Sequence, residues 1–405
     1  MDTGVSRAAA TAAASRWMLP CLCAGAFLVF AQTFMVAPLI PRLAEVFHSP
    51  VDWVGLAIPA YIVPEALATL AVGPLSDRIG RNGVIFGSLL AFVVLTALTA
   101  TAGRVGTFIG WRVATGIAAA GIVPISLTLI GDVIPFARRG RAVGYLFGSI
   151  AGGTAAGAAV GALLEPVIGW RALFLVTAAA CVALLLAMLA ARVLPRGIRA
   201  ASAAPWSAVL RGYASLLKLA RARRTYGYVL LNAILQSGIF TWLGVYLHRR
   251  FGLDETGIGL VLLGYGVPGM LFGPIIGKLA DRYGRSVIIP AGVVLTGLCA
   301  LWLAATPPLT GVRVAIILLS LGFDLTHPQL AAITTDLAGG RGQAVAMMAF
   351  ALFGGFGLGS LLFQGALALG FPLAFALFGV VALVGAGFAF RLFRAELPRH
   401  PAAAH

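Results

Sequence analysis

Charge is scarce in this sequence. Only 10% of its 405 residues are Asp, Glu, Lys or Arg, against about a quarter in soluble domains, which excludes an ordinary solvated globule of this size. Cysteine is sparse too. Cys21, Cys23, Cys181 and Cys299 all lie in apolar runs without a C-x-x-C pair or a histidine-rich partner. That excludes a disulfide framework and a zinc site, and leaves them as small packing residues. A phosphate-cradling G-x-x-x-x-G-K-[ST] is missing: Gly277-Lys278 lacks both the spaced first glycine and the Ser/Thr, so ATP-driven work within the chain is unsupported. His48, His248, His327, His400 and His405 are scattered and form no catalytic constellation. Neither an enzyme nor a bound cofactor is expected.

Apolar runs are what the sequence has. It is 60% hydrophobic with mean hydropathy +0.99, and its runs recur at close to the ~20 residues that cross a bilayer as a helix. Gly 51 and Pro 21 are tolerated in membrane helices, where glycine allows close packing. The pattern predicts an all-α membrane protein with twelve spans near 17–40, 53–75, 84–102, 106–131, 142–164, 170–193, 226–247, 257–277, 287–305, 312–335, 343–365 and 371–393. The first follows Arg7 and Arg16 like a signal peptide, but its length and the later spans predict an uncleaved helix.

Sorting the basic residues by this topology puts 22 of the 29 Lys and Arg on the side of both termini and six opposite, with Arg112 inside a span. Both termini are therefore expected in the cytoplasm, with the protein integral to the plasma membrane, or the inner membrane of a bacterium. The net charge of +16 is then topological, and nucleic acid is not an expected partner. Residues 195–225 form the only long break between spans, an Arg-rich linker with a surface-lying amphipathic part. It separates six-span halves at 1–194 and 226–405.

The halves repeat. Tyr61-x-x-Pro64 followed by Gly73-x-x-x-Asp77-Arg78-x-Gly80-Arg81 recurs as Tyr265-x-x-Pro268 followed by Gly277-x-x-x-Asp281-Arg282-x-Gly284-Arg285, at an offset of 204. The same offset pairs Gln32 with Gln236, Pro124 with Pro328 and Asp132 with Asp336, and an offset of 202 pairs Gly153 and Gly157 with Gly355 and Gly359.

A six-plus-six chain with D-R-x-G-R between spans two and three of each half resembles the major facilitator superfamily over essentially its whole length. The loop is readable on its own: Gly73 and Gly277 let helices approach, Gly80 and Gly284 allow a tight turn, and the arginines stay on the cytoplasmic side. A purely topogenic basic turn is the plainer alternative. The resemblance implies a gate in which Asp77 and Asp281 engage the start of the eleventh or fifth helix. Asp132 and Asp336, ending spans four and ten, are candidates to pair with Arg81 and Arg285 in that gate, or are simple solvated helix-end charges.

Charges inside the hydrocarbon are functional candidates by default. Arg112 opens R-x-x-x-G with Gly116 in span four, which the resemblance associates with proton coupling or substrate contact; snorkelling to the interface is the alternative. Asp324 and His327 lie on one face of span ten and form a candidate proton-carrying pair. Glu65 falls ~18 Å from Asp77, near the midplane, and its repeat partner is Gly269. Span five, with Gly144, Gly148, Gly152, Gly153, Gly157 and Gly161, partly matches the family's antiporter motif, but Ala158 and Ala162 replace its proline and last glycine. A small-residue packing groove is the alternative. Gln32 with Thr33, and Asn232, Gln236 and Ser237, are candidate substrate contacts or interhelical bonds in spans one and seven.

The expected function is secondary active transport by rocking halves, driven by a proton gradient, with export of a small amphiphilic compound first. A proton-coupled carrier of a metabolite, sugar or siderophore is second. A sensor or membrane enzyme would need a catalytic cluster or a soluble domain, which the sequence lacks.

Overall fold

The computed structural model describes residues 16–134, 136–194, 205–337 and 341–396, and every regular element among them is helical. The first crossing joins α1 (Met18–Phe34), a 3-10 turn at Ala37–Leu39 and α2 (Ile40–Val46). The second is α3 (Val51–Gly55) with α4 (Pro59–Ile79), the third α5 (Arg81–Thr99), and the fourth α6 (Val105–Ala119) with α7 (Val123–Val133). A single run, α8 (Phe136–Ala190), has 55 residues, about 80 Å at 1.5 Å per residue and far too long for one ~30 Å crossing. It turns at Gly169 (φ 78°, ψ 155°) and supplies the fifth and sixth.

After α9 (Trp206–Lys218), an amphipathic helix in the linker, α10 (Ala220–Phe251) is the seventh crossing. The eighth is split into α11 (Glu255–Leu262) and α12 (Val267–Tyr283). The last four are α13 (Arg285–Ala304), α14 (Leu309–Thr335), α15 (Arg341–Ala366) and α16 (Phe371–Leu392). Among the described residues ten segments are long and apolar enough to cross a membrane. The doubled α8 and the split eighth bring the total to the expected twelve.

Positive-φ glycines turn the chain between neighbouring crossings. Gly80 (φ 94°, ψ 149°) and Gly284 (φ 85°, ψ 152°) do so in the two D-R-x-G-R loops, a backbone conformation that any side chain would strain. Gly169 has its counterpart in Gly370 (φ 87°, ψ 158°) between the last two crossings. The repeat is therefore one of backbone geometry as well as residue type.

The span-five glycines form a packing groove. A Cβ on Gly153 or Gly157 would strike the backbone of Phe27 or Ala31 in α1, and one on Gly161 would lie 2.9 Å from Met35 Cβ. Gly355 and Gly359 of α15 press against Leu230 and Ile234 of α10 in the same way. Gly144 and Gly148 face open space, so only the far half of the motif packs.

The halves touch at the end opposite the D-R-x-G-R loops. Trp242 of α10 is fully buried; its Cη2 lies 2.6 Å from where a Cβ on Gly55 would stand, and its Nε1 donates to Ser360 O at 3.1 Å. Gln364 Nε2 donates to Asp52 O at 2.8 Å, and Gly244 approaches Pro38 Cα.

Candidate functional site

The first half is organised around Arg112, which is fully buried and does not snorkel. Its fork donates to Ala57 O (3.2 Å), Gln32 O (3.5 Å), Gln32 Oε1 (2.9 Å) and Thr33 O (3.1 Å). The acceptors are free for a reason. Gln32 and Thr33 are in the last turn of α1, where carbonyls lack intrahelical donors and the helix end is partially negative. Ala57 lies in the break before α4, where Tyr61 N–H closes on Ile58 O instead. Arg112 thus ties the first, second and fourth crossings together. Its guanidinium sits over the Tyr61 ring at 4.3 Å, and Gly116, one turn on, meets the Tyr61 carbonyl so closely that no side chain fits between. Glu65, one turn beyond Tyr61, is 2% exposed, within electrostatic reach of Arg112, with Oε1 unbonded.

The second half puts a carboxylate in the corresponding place from a different helix. A Cβ on Gly269, the repeat partner of Glu65, would lie 2.8 Å from Asp324 Oδ1, so the missing side chain is what seats Asp324. Ser320 Oγ donates to Asp324 Oδ2 at 3.3 Å and accepts from Gly266 N–H at 3.1 Å. Gly266 has φ +86° at the break between α11 and α12. No cation takes the place of Arg112: its repeat partner is Ile316, and among the described residues no ion pair involves Asp324.

His327 does not join Asp324. Its ring stacks on Phe323 (5.0 Å, 6°) and meets Phe147 edge-on at 5.6 Å, and both ring nitrogens lack a hydrogen-bond partner. The expected Asp–His pair is replaced by a carboxylate on Ser320 and an imidazole among aromatic rings.

Those rings belong to a seam of aromatics between the halves. Phe34 of α1 contacts Phe240 (5.8 Å) and Phe356 (6.0 Å), while Phe30 contacts Phe353 (6.1 Å). Phe240 lies 4.2 Å from Tyr265, and Phe356 leads to Phe323. Tyr265, itself within electrostatic reach of Asp324, links the carboxylate to the seam.

Buried polar atoms without partners are rare and call for an explanation. Here they include Tyr61 Oη, Glu65 Oε1, Asn232 Nδ2, Gln236 Oε1 and Tyr265 Oη. Gln32 and Thr33, candidates for substrate contact or interhelical bonding, are buried and make the interhelical bonds to Arg112, and Thr33 Oγ1 bonds Val29 O. Gln236, in the same repeat position but without an arginine, keeps its oxygen free, as Asn232 keeps its Nδ2. Ser237 faces Thr241 at 3.5 Å.

At the loop end, Arg81 holds Asp77 (2.5 Å), Asp132 (3.4 Å) and Ser76, and Arg285 lies 3.9 Å from Asp336. These pairs join the start of the third crossing to the second and fourth, and the start of the ninth to the tenth, each within one half. Among the described residues no ion pair joins the two halves at this end; the side chains that start the fifth and eleventh helices, the expected partners of Asp77, lie outside the described residues. Gly73 faces open space. Arg78 stacks on Trp206 of α9 at 4.9 Å, and Arg282 on Tyr283. The side chain of Asp281 and the surroundings of Gly277 lie outside what the structure describes.

The Major Facilitator Superfamily model matches residues 22–360 and again 246–405. The chain belongs to the Major Facilitator Superfamily. This superfamily member is a transporter and not an enzyme. It is 28% identical over 323 residues to a chloramphenicol resistance protein of Streptomyces lividans, covering 79% of this chain and 81% of that one. It is 23% identical over 317 residues to multidrug resistance protein 1 of Bacillus subtilis (strain 168), covering 77% and 80%. Its fold matches a D-xylose-proton symporter with TM-score 0.75 at 17% identity, over 93% of this chain and 97% of the other.

Sequence reasoning missed the aromatic seam, the split eighth crossing, Ser320 and Glu396. Phe30 and Phe34 at helical spacing were the available signal for the first. Glu396, a lone acid in a basic tail, takes Arg221 in a bidentate pair (2.8 Å each) and Arg224 as well. The Arg221 bonds, against partial burial, hold its carboxyl below the usual glutamate range.

Proposed function

We propose that this transporter exports small amphiphilic compounds in exchange for protons, by alternating access, with its D-R-x-G-R end and both termini in the cytoplasm. The observation that carries the reading is Asp324: a half-buried carboxylate at mid-span, bonded to Ser320 and with no countercharge among the described residues, beside the aromatic seam between the halves. A carboxylate in such a place is stable when protonated or when facing a polar or cationic partner. Aromatic walls with a few unpaired polar atoms suit an amphiphile. The resistance proteins among its relatives favour export, and the basic-residue asymmetry favours the orientation. Within this reading Arg112, locked to Gln32, Thr33 and Ala57 and within electrostatic reach of Glu65, supports the site, and His327 belongs to its wall.

The test is reconstitution into liposomes enclosing a pH-sensitive dye, with chloramphenicol first in a panel of amphiphiles and sugars. Substrate-driven proton flux opposite to the substrate is expected, falling at least about tenfold in Asp324→Asn, the loss expected when a proton-transfer group is removed. Undiminished flux in the variant sinks Asp324 as the carrier. Proton flux in the same direction as a sugar would replace export by symport.

A further inference from the structure

The linker helix α9 belongs to neither bundle, and its thirteen residues fall into three sectors at about 100° per residue. Val209, Tyr213 and Leu216 are buried against the protein. Tyr213 Oη donates to Leu70 O of α4 at 3.1 Å, in the first half. Gln343 Nε2 of α15, in the second half, reaches Val209 O at 3.5 Å, and its carboxamide crowds Gly212 so that no side chain fits there. The helix therefore bridges the second and eleventh crossings at the end where no described ion pair joins the halves. Tyr213 also senses Asp77: burial first, and that carboxylate second, push its phenol up.

The other two sectors are exposed, with only the Arg78 guanidinium laid over Trp206 from another helix. Trp206, Leu210 and Leu217 cluster within about 40° of one another on the helix wheel and are 44%, 65% and 44% exposed. Arg211 and Lys218, roughly 20° apart, lie on the next flank, about 110° further round; both are exposed. The helix carries no acidic residue, and Arg78 adds a further cation over Trp206. An apolar stripe set between a protein-facing side and a basic side fits a helix lying in the bilayer interface. The stripe would meet acyl chains while the cations stand at headgroup level.

We propose that α9 is a binding surface for anionic phospholipid in the leaflet at the D-R-x-G-R end, with Trp206, Leu210 and Leu217 inserted and Arg211 and Lys218 on the headgroups. Because α9 touches α4 and α15 together, lipid held there acts on the seam between the halves. Each cation is expected to enrich anionic lipid by about fivefold.

The experiment uses the full chain in nanodiscs of phosphatidylcholine carrying about a third phosphatidylglycerol, enough for a surface potential. Bromine is placed on the acyl chains of one lipid or the other at equal mole fraction. The signal is the quenched fluorescence of Trp206, taken as wild type minus Trp206→Phe. Quenching by brominated phosphatidylglycerol should exceed that by brominated phosphatidylcholine several-fold. The excess should vanish in Arg211→Gln/Lys218→Gln while phosphatidylcholine quenching remains. Both substituted residues are exposed, and an unchanged gel-filtration profile shows that the variant is folded. Equal quenching by the two lipids, an excess that survives the double substitution, or no quenching by either would overturn the proposal.

Discussion

Replacing Arg112 should loosen the whole first half, whatever the substrate. Three of its four hydrogen bonds are 2.9–3.2 Å long, and a bond from a charged donor contributes about 1.5–3 kcal/mol. Arg112→Lys keeps the charge, but a single ammonium cannot serve both the end of α1 and the break before α4, so about 2 kcal/mol should be lost. Arg112→Gln also removes the cation whose charge reaches Glu65, which is 2% exposed. Each buried acceptor left without its charged donor costs about 1–3 kcal/mol. Thermal unfolding in detergent should therefore rank wild type, then lysine, then glutamine, with the last lower by on the order of 5 °C. Glu65→Gln should rescue part of the glutamine variant, with a coupling of about 1–3 kcal/mol in a double-mutant cycle. An unfolding temperature unchanged in Arg112→Gln, or strictly additive costs in the cycle, would refute both the tie and the coupling to Glu65.

Two further outcomes follow from the same geometry. Gly157→Val should lower the unfolding temperature markedly, because its Cβ meets the Ala31 carbonyl, at a cost of about 1–3 kcal/mol or more. Gly148→Ala in the same motif, where nothing lies within 4 Å, should be neutral or slightly stabilising, and equal losses in the two would refute the groove. Glu396→Gln should destabilise the protein at neutral pH by releasing Arg221 and Arg224. The native carboxyl is held below its unfolded value, so its contribution is full above about pH 4.3 and is lost as pH falls through the folded value. The gap in unfolding temperature between wild type and Glu396→Gln should therefore close on acidification, and a gap independent of pH would count against the latch.

The twelve crossings were legible because bilayer thickness and backbone hydrogen bonding leave few alternatives to an apolar helix of about twenty residues. The ion pairs Arg81–Asp132 and Arg285–Asp336 were legible as well, since the loop and the helix end that carry them recur in both halves. The break in the eighth crossing was not. Gly264, Gly266 and Pro268 mark the place, but membrane helices tolerate such residues, and the break depends on Ser320 of another helix holding the Gly266 N–H. Gln32 and Gln236 show the same limit: identical in type and repeat position, they differ because only the first has an arginine facing it.

By itself the sequence determined that this chain is helical, duplicated and membrane-embedded, since composition, run length and repeat spacing are properties of the chain alone. Which buried charge is neutralised and which is left unpaired was decided only in three dimensions. Arg112 closes around α1 and the broken second crossing, whereas Asp324 fills the space beside Gly269 with a serine for company. That difference arises from contacts between helices far apart in the chain, where a missing side chain on one helix makes room for a charged one on another.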